Sequence, residues 1–275
     1  MTDRPISGSR VAAFFDLDGT LIPGSANIPL AKAAFRAGFV SKRELALDLL
    51  NNVAFMVRGS SDTQSHNLRE RILRAVKGRP AADVEGLTEG FLDGLVATIT
   101  PAMREIMAEH RDAGHDLVLV SASPTELVQR FAVASGMSYG IGTTAERDEN
   151  DCYTGVLAGP FCYKEGKAEV VEQLAVEHDY DLGQCFAYSD SESDLPMFTV
   201  VGNPVAVNPD STLRRLAESN GWRVVQFGRL RVGMQGLVTA IRAAGRSPGA
   251  AWRAGRTGVA RGRESVARRR ALNPD

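Results

Sequence analysis

Two aspartates stand two residues apart in "FFDLDGT", where an apolar run over residues 12–15 ends at Asp16 and a second carboxylate follows at Asp18. Burying one carboxylate is unfavourable and burying two is worse, unless a positive charge is meant to sit between them. As a strand ends, acids at i and i+2 can converge on one side, and Gly19 permits the tight turn that must follow. A carboxylate held there is suited to act as a covalent nucleophile toward a phosphoryl group. A surface turn after an edge strand would leave the same trace, so the pair needs company.

Three further patterns supply it. In "SAS", Ser121 follows an apolar strand and precedes a helix start. Its hydroxyl and the amide of Ala122 could hold the oxygens of an anion, while Ser123 is expected to cap the helix. Lys167 falls in the opening turn of "KAEVVEQL", where the helix dipole disfavours a cation. A phosphate or a group of carboxylates would explain it there, with Lys164 as the competing candidate. Finally, "AYSDSESDLPMF" puts Asp190, Glu192 and Asp194 just beyond another apolar strand, Asp190 in the same relative place as Asp16. Such an acidic cluster suits a hard cation bound through oxygen, Mg2+ above all. Neither acidic loop has the ligand series of an EF-hand.

These residues need a scaffold that brings distant strand ends together. After the strand at 11–15, the chain from Pro23 to Thr100 reads as helical. Ser41 and Glu44 form a capping box ahead of Leu45, Leu49 and Val53. Leu68, Ile72 and Val76 make a stripe closed by Gly78, and Leu87, Phe91, Leu95 and Ile99 make another. A connection that long is expected to be a cap lying over the strand ends. Next comes a helix from Thr100-Pro101 with Met103, Ile106, Met107 and His110 inward, then the strand "DLVLVSAS" and a helix ending at Gly136. A hairpin over 143–157, a helix near 167–178, strands at "CFAY" and "PVAV", a helix from Ser211, a strand in "WRVVQF" and a helix near 230–244 complete the series. This alternation predicts an α/β fold with a doubly wound parallel sheet. The core would span 10–22 and 101–245, the helical cap 23–100, and a basic tail 246–275.

Taken together and in this order, the four patterns resemble the haloacid dehalogenase superfamily, in its phosphoserine-phosphatase-like subfamily with a helical cap after the first motif. The resemblance covers about residues 10–227. It implies a Rossmann-like core and a phosphoric monoester hydrolase. Asp16 would be the nucleophile that forms an aspartyl-phosphate, and Asp18 would protonate the leaving oxygen and then activate water. Mg2+ would be held by Asp16, the main-chain carbonyl of Asp18, and Asp190. Ser121, Ala122 and Lys167 would bind phosphate, with Gly19, Thr20 and Asp194 in support. The resemblance selects Lys167 over Lys164. Members acting on phosphoserine carry an acid shortly after the first motif; here Ser25 stands near that place, with no acid until Glu44. Arg69 or Arg71 on a cap helix could meet a substrate carboxylate, and Arg71 is kept as the candidate. The substrate is therefore left as a small phosphorylated metabolite. Transfer to an acceptor other than water, or phosphate binding without catalysis, are the competing functions.

Composition fits such an enzyme, with 44% apolar and 24% charged residues. The net charge of −1 conceals eight Arg against only Glu264 and Asp275 in residues 246–275. That tail is expected to be disordered and solvated, with a weak contact to an acidic membrane surface as the sharper alternative and no specific nucleic acid as partner. Three cysteines without metal-ligand spacing suggest a reduced, cytoplasmic setting. The residues "MTDRPISGSR" show no apolar segment of a signal peptide, and no run is long enough to span a bilayer.

Overall fold

The computed structural model describes residues 10–41 and 62–227. At its centre lies β1, Ala12–Phe15, four residues with no exposed surface. A strand buried on both faces carries no polar alternation, which is why "AAFF" reads as a continuous apolar run. β2 (Asp116–Pro124) pairs parallel to one side of it, Phe15 opposite Leu119, and β6 (Phe186–Ser189) to the other, Phe15 opposite Tyr188. β3 (Tyr139–Thr143), β7 (Asn203–Val207) and β8 (Arg223–Val225) extend the sheet to the order β3-β2-β1-β6-β7-β8, parallel throughout. The direction of winding reverses between β1 and β6. Ligands bind at such a reversal, beyond the carboxyl ends of the strands.

Alternation along the strands divides the core. Ala13, Phe15, Leu117 and Leu119 face one side, against Met103, Ile106 and Met107 of α5 (Pro101–Asp112) and Leu127, Val128 and Phe131 of α6 (Thr125–Ala134). Ala12, Phe14, Val118 and Val120 face the other, against Val170, Val171 and Leu174 of α7 (Glu165–His178) and Met197 and Phe198 of α8 (Leu195–Val200). α9 (Ser211–Asn220) adds Leu213 and Ala217 to that layer. The inward set Met103, Ile106, Met107 and His110 is buried as expected.

The insert between β1 and α5 is helical where it is described: α1 (Asn27–Arg36), α2 (Asp62–Val76), α3 (Ala81–Gly86) and α4 (Leu92–Ala97). Its entry and exit run side by side, the Thr100 amide donating to the Leu21 carbonyl at 3.2 Å. The expected single stripe from Leu87 to Ile99 is corrected. The chain turns through residues 87–91 on short-range bonds such as Leu87 N to Val84 O and Phe91 N to Thr88 O, so two short helices replace one. Gly86 and Gly90, poor helix formers, bracket the break.

The expected hairpin is present as β4 (Ala145–Arg147) and β5 (Tyr153–Leu157), antiparallel. It is bonded to the insert: Gly78 N to Tyr153 O at 2.7 Å, Tyr153 N to Arg79 O at 3.0 Å, and Ala81 N to Asp151 O at 2.9 Å. Tyr153 packs with Val76, Ala81 and Val84 in a small apolar cluster of its own. The capping box beginning at Ser41, the helix near 230–244 and the basic tail fall mostly or wholly outside the described residues. Among those described, no helix is long and apolar enough to cross a membrane.

Candidate active site

Asp16 is the first residue past β1, and its amide donates to the Tyr188 carbonyl at 3.0 Å, holding the strand end against β6. Its carboxylate is buried, and each of its oxygens accepts a hydrogen bond. Lys167 Nζ donates to Oδ1 at 2.6 Å and Thr20 Oγ1 to Oδ2 at 3.1 Å. Lys167 comes from the first turn of α7, whose N-cap is Lys164 in a positive-φ conformation (φ 52°). The Lys164 ammonium lies over the Tyr163 ring, 6.0 Å from its centroid. Lys167 is thus the lysine that meets Asp16. Its ammonium also donates to Asp194 Oδ2 at 2.7 Å, and Ser189 Oγ donates to that same oxygen at 2.7 Å.

Asp18 is restrained separately. The Ala26 amide donates to Oδ1 at 2.8 Å and the Ser25 hydroxyl to Oδ2 at 3.2 Å. The chain reaches this geometry by doubling back, with Gly19 N donating to the carbonyls of Ile22 and Gly24. Gly19 sits at φ +83°, and a Cβ there would lie 2.2 Å from Asp190 Oδ2. Asp190 therefore presses its carboxylate on the bare backbone between Asp18 and Thr20. Its own carbonyl accepts from the Asp210 amide at 2.9 Å, while the Asp210 side chain caps α9.

The acidic series after β6 does not act as one cluster. Asp190 faces Gly19, Asp194 turns inward to Lys167, and Glu192 is exposed. Among the described residues, no three His, Cys, Asp or Glu side chains gather as a metal site. Two carboxylates and a main-chain carbonyl, from Asp16, Asp190 and Asp18, still fit Mg2+, which takes one or two carboxylates and completes its shell with water and phosphate.

Electrostatics point the same way. Burial pushes the Asp16 carboxyl above the usual carboxylate range, against the pull of Lys167, and Asp194 and Asp18 add to the rise. Burial also raises Asp18, opposed by the Ala26 amide and the Ser25 hydroxyl. Burial alone would lower Lys167, but Asp16 and Asp194 outweigh it and keep it charged. One ammonium faces more carboxylates than it can neutralise, so the donor set calls for another cation.

On the far side of β1, strand β2 loses step with β3. Val120 pairs with Ile141 and Pro124 with Thr143, so three residues on one strand stand against one on the other. The bulge frees Ser121, Ala122 and Ser123 from the ladder, the device by which strands aim side chains near sites. Ser121 Oγ accepts from the Ser123 amide at 3.2 Å, leaving its hydrogen to donate, and the Ala122 carbonyl accepts from Thr143 Oγ1 at 2.9 Å. The expected cap at Ser123 is absent: the N-cap of α6 is Pro124, without a side-chain bond.

Of the two suggested substrate contacts, Ser25 is bonded to Asp18 and Arg71 lies half-buried on α2. Sequence reasoning missed Ser189, whose hydroxyl steadies Asp194, and Thr143, which secures the bulge. The only trace of Ser189 is its place just before Asp190.

The fold and this constellation, with a buried carboxylate just past the end of the first strand, agree with a class of hydrolases. The haloacid dehalogenase-like hydrolase family model matches residues 13–199. A protein of Mycobacterium tuberculosis named as a probable phosphatase is 35% identical over 222 residues, covering 80% of this chain and 77% of that protein. A phosphoserine phosphatase of the same species is 34% identical over 226 residues, covering 82% and 73%. A Bordetella pertussis protein of unknown function superposes with a TM-score of 0.65 at 27% identity, covering 79% of this chain and 99% of that one. The chain belongs to the haloacid dehalogenase-like hydrolase family, among its phosphoserine-phosphatase-like phosphatases.

Proposed function

We propose that the protein hydrolyses a small phosphate monoester through an aspartyl-phosphate on Asp16, with Mg2+ as cofactor. The observation that carries this reading is the asymmetry between Asp16 and Asp18. Asp16 is clamped by Lys167 and Thr20, while Asp18, two residues on, is held by Ala26 and Ser25 and has no direct bond to the lysine. This asymmetry supports a reading in which one carboxylate attacks and the other carries a proton.

In the first half-reaction an Asp16 oxygen bonds to phosphorus as the ester oxygen departs with a proton from Asp18. In the second, water attacks the aspartyl-phosphate, Asp18 takes a proton from it, and the Asp16 carboxylate is restored. Ser121, the Ala122 amide and Lys167 hold the phosphoryl oxygens, offsetting the repulsion between two anions. Asp16, Asp190 and the Asp18 carbonyl would hold Mg2+, which supplies further positive charge there. Burial helps Asp18 keep its proton until the ester oxygen needs it.

The substrate class is a small phosphorylated metabolite, and the relative that acts on phosphoserine makes that ester one probe among several. A cytoplasmic setting belongs to this reading and is supported by Cys152, Cys162 and Cys185 being free thiols. The test is phosphate release with and without Mg2+ from phosphoserine, histidinol phosphate, a hexose phosphate and p-nitrophenyl phosphate. Asp16→Asn should abolish it, and release at the parent rate would overturn the nucleophile assignment.

A further inference from the structure

Among the described residues, three buried side-chain polar atoms have no hydrogen-bond partner: Asn27 Oδ1, Arg69 Nε and Ser123 Oγ. Each lies on a segment that carries or abuts the site. Asn27 follows Ala26, whose amide holds Asp18, and Arg69 stacks over Phe161 in the loop that leads to Lys167. Ser123 is the most committed of the three, with 2% of its surface exposed.

Everything else about Ser123 is fixed. Its amide is bonded to Ser121 Oγ, and its carbonyl lies so close to β3 that a Cβ on Gly142 would be 2.7 Å away. The hydroxyl that should have capped α6 does not. A buried hydroxyl without a partner is unfavourable in a folded protein, and such groups are rare unless they serve a purpose. Here the bulge that frees Ser121 for phosphate frees Ser123 as well. Ser123 is the residue further along β2, two before α6, against which α3 and α4 of the insert pack. Along the chain it thus lies between Ser121 and the helix on which the insert packs.

We propose that the Ser123 hydroxyl is a substrate contact that takes its missing hydrogen bond from the leaving group of the bound ester, not from its phosphoryl group. The proposal rests on the phosphatase reading above. It calls for a leaving group with a polar atom, such as a hydroxyl, ammonium or carboxylate, close to the ester oxygen.

Ser123→Ala in the full chain is the test, compared with the parent on phosphoserine, histidinol phosphate, a hexose phosphate and p-nitrophenyl phosphate, with orthophosphate as inhibitor. The melting temperature should stay level or rise, since the variant removes an unsatisfied group. KM for the polar ester that the parent uses best should rise roughly 5- to 10-fold. KM for p-nitrophenyl phosphate and the inhibition constant of orthophosphate should stay within about two-fold. A parallel rise for orthophosphate would make Ser123 a phosphoryl contact and overturn the proposal. So would unchanged constants throughout, or a clear fall in melting temperature, which would mark a structural role. A parent that releases phosphate from none of the esters overturns the hydrolase reading and this proposal with it. An active parent matched by the variant overturns this proposal alone.

Discussion

Lys167 and Asp194 meet at 2.7 Å with 3% of each side chain exposed, and the same ammonium reaches Asp16 at 2.6 Å. One cation holds a carboxylate from the end of the first strand and another from beyond the sixth.

Replacing that cation should injure both fold and activity. Lys167→Met leaves Asp16 and Asp194 buried without their partner, and losing one side of such a pair costs about 3–5 kcal/mol. Denaturant titration checks this. Phosphate release should fall by about 10³-fold or more. Lys167→Arg should not restore it, because a fork-shaped guanidinium does not fit between two acids placed for a point charge.

Gly19→Ala tests the contact with Asp190. The new methyl would have to displace a carboxylate 2.2 Å away, in a backbone conformation at φ +83° that side chains resist. A loss of about 1–3 kcal/mol in stability is expected. The Mg2+ concentration for half-maximal phosphate release should rise about 10-fold or more as Asp190 is pushed aside.

Ser25→Ala separates two roles. As a support for Asp18, Ser25 should lower kcat by about 3- to 10-fold when removed, with KM little changed, because the Ala26 amide still holds the other oxygen. As a substrate contact it would raise KM instead. Steady-state kinetics on the best ester decides.

Acid sensitivity should reside partly in His110. It is buried under the sheet, with Nε2 2.7 Å from the Tyr188 hydroxyl and Nδ1 2.8 Å from His115 Nδ1. Burial, then His115 and Arg223, lower it from 6.5 to about 4. The unfolded chain binds this proton below about 6.5 and the folded protein refuses it until about 4, so stability is lost as pH falls through that window. The loss should reach on the order of 2–3 kcal/mol near pH 4. His110→Gln should flatten that part of the stability curve by a similar amount, measured by melting temperature from pH 7 to 4.5.

The parts of the site legible in the sequence are those in which a chemical residue closely follows an apolar run. Asp16 and Ser121 each end such a run, Asp190 follows one after a single serine, and Lys167 opens a helix where a cation is out of place. The sheet was legible for the same reason, except at β3. "YGIGT" carries two glycines that weaken any strand pattern. They are there because α6 and the bulge crowd the strand: a Cβ on Gly140 would lie 2.6 Å from the Val128 carbonyl. Contacts made in space, such as Ser189 with Asp194 or Ser25 with Asp18, leave no periodicity to read. Ser123 misled for a related reason. Serine before a helix is a good cap by local rules, but the bulge moved the cap to Pro124.

The bonds between the hairpin and the insert bear on how such a protein can be re-engineered. Gly78, Arg79 and Ala81 find their backbone partners in residues 151–153, contributed by a different interruption of the sheet. A chimera that grafted 23–100 alone onto a related core would arrive with those amides and carbonyls unmatched and with Tyr153 missing from its apolar cluster. Moving the insert intact means moving two separate stretches of chain together.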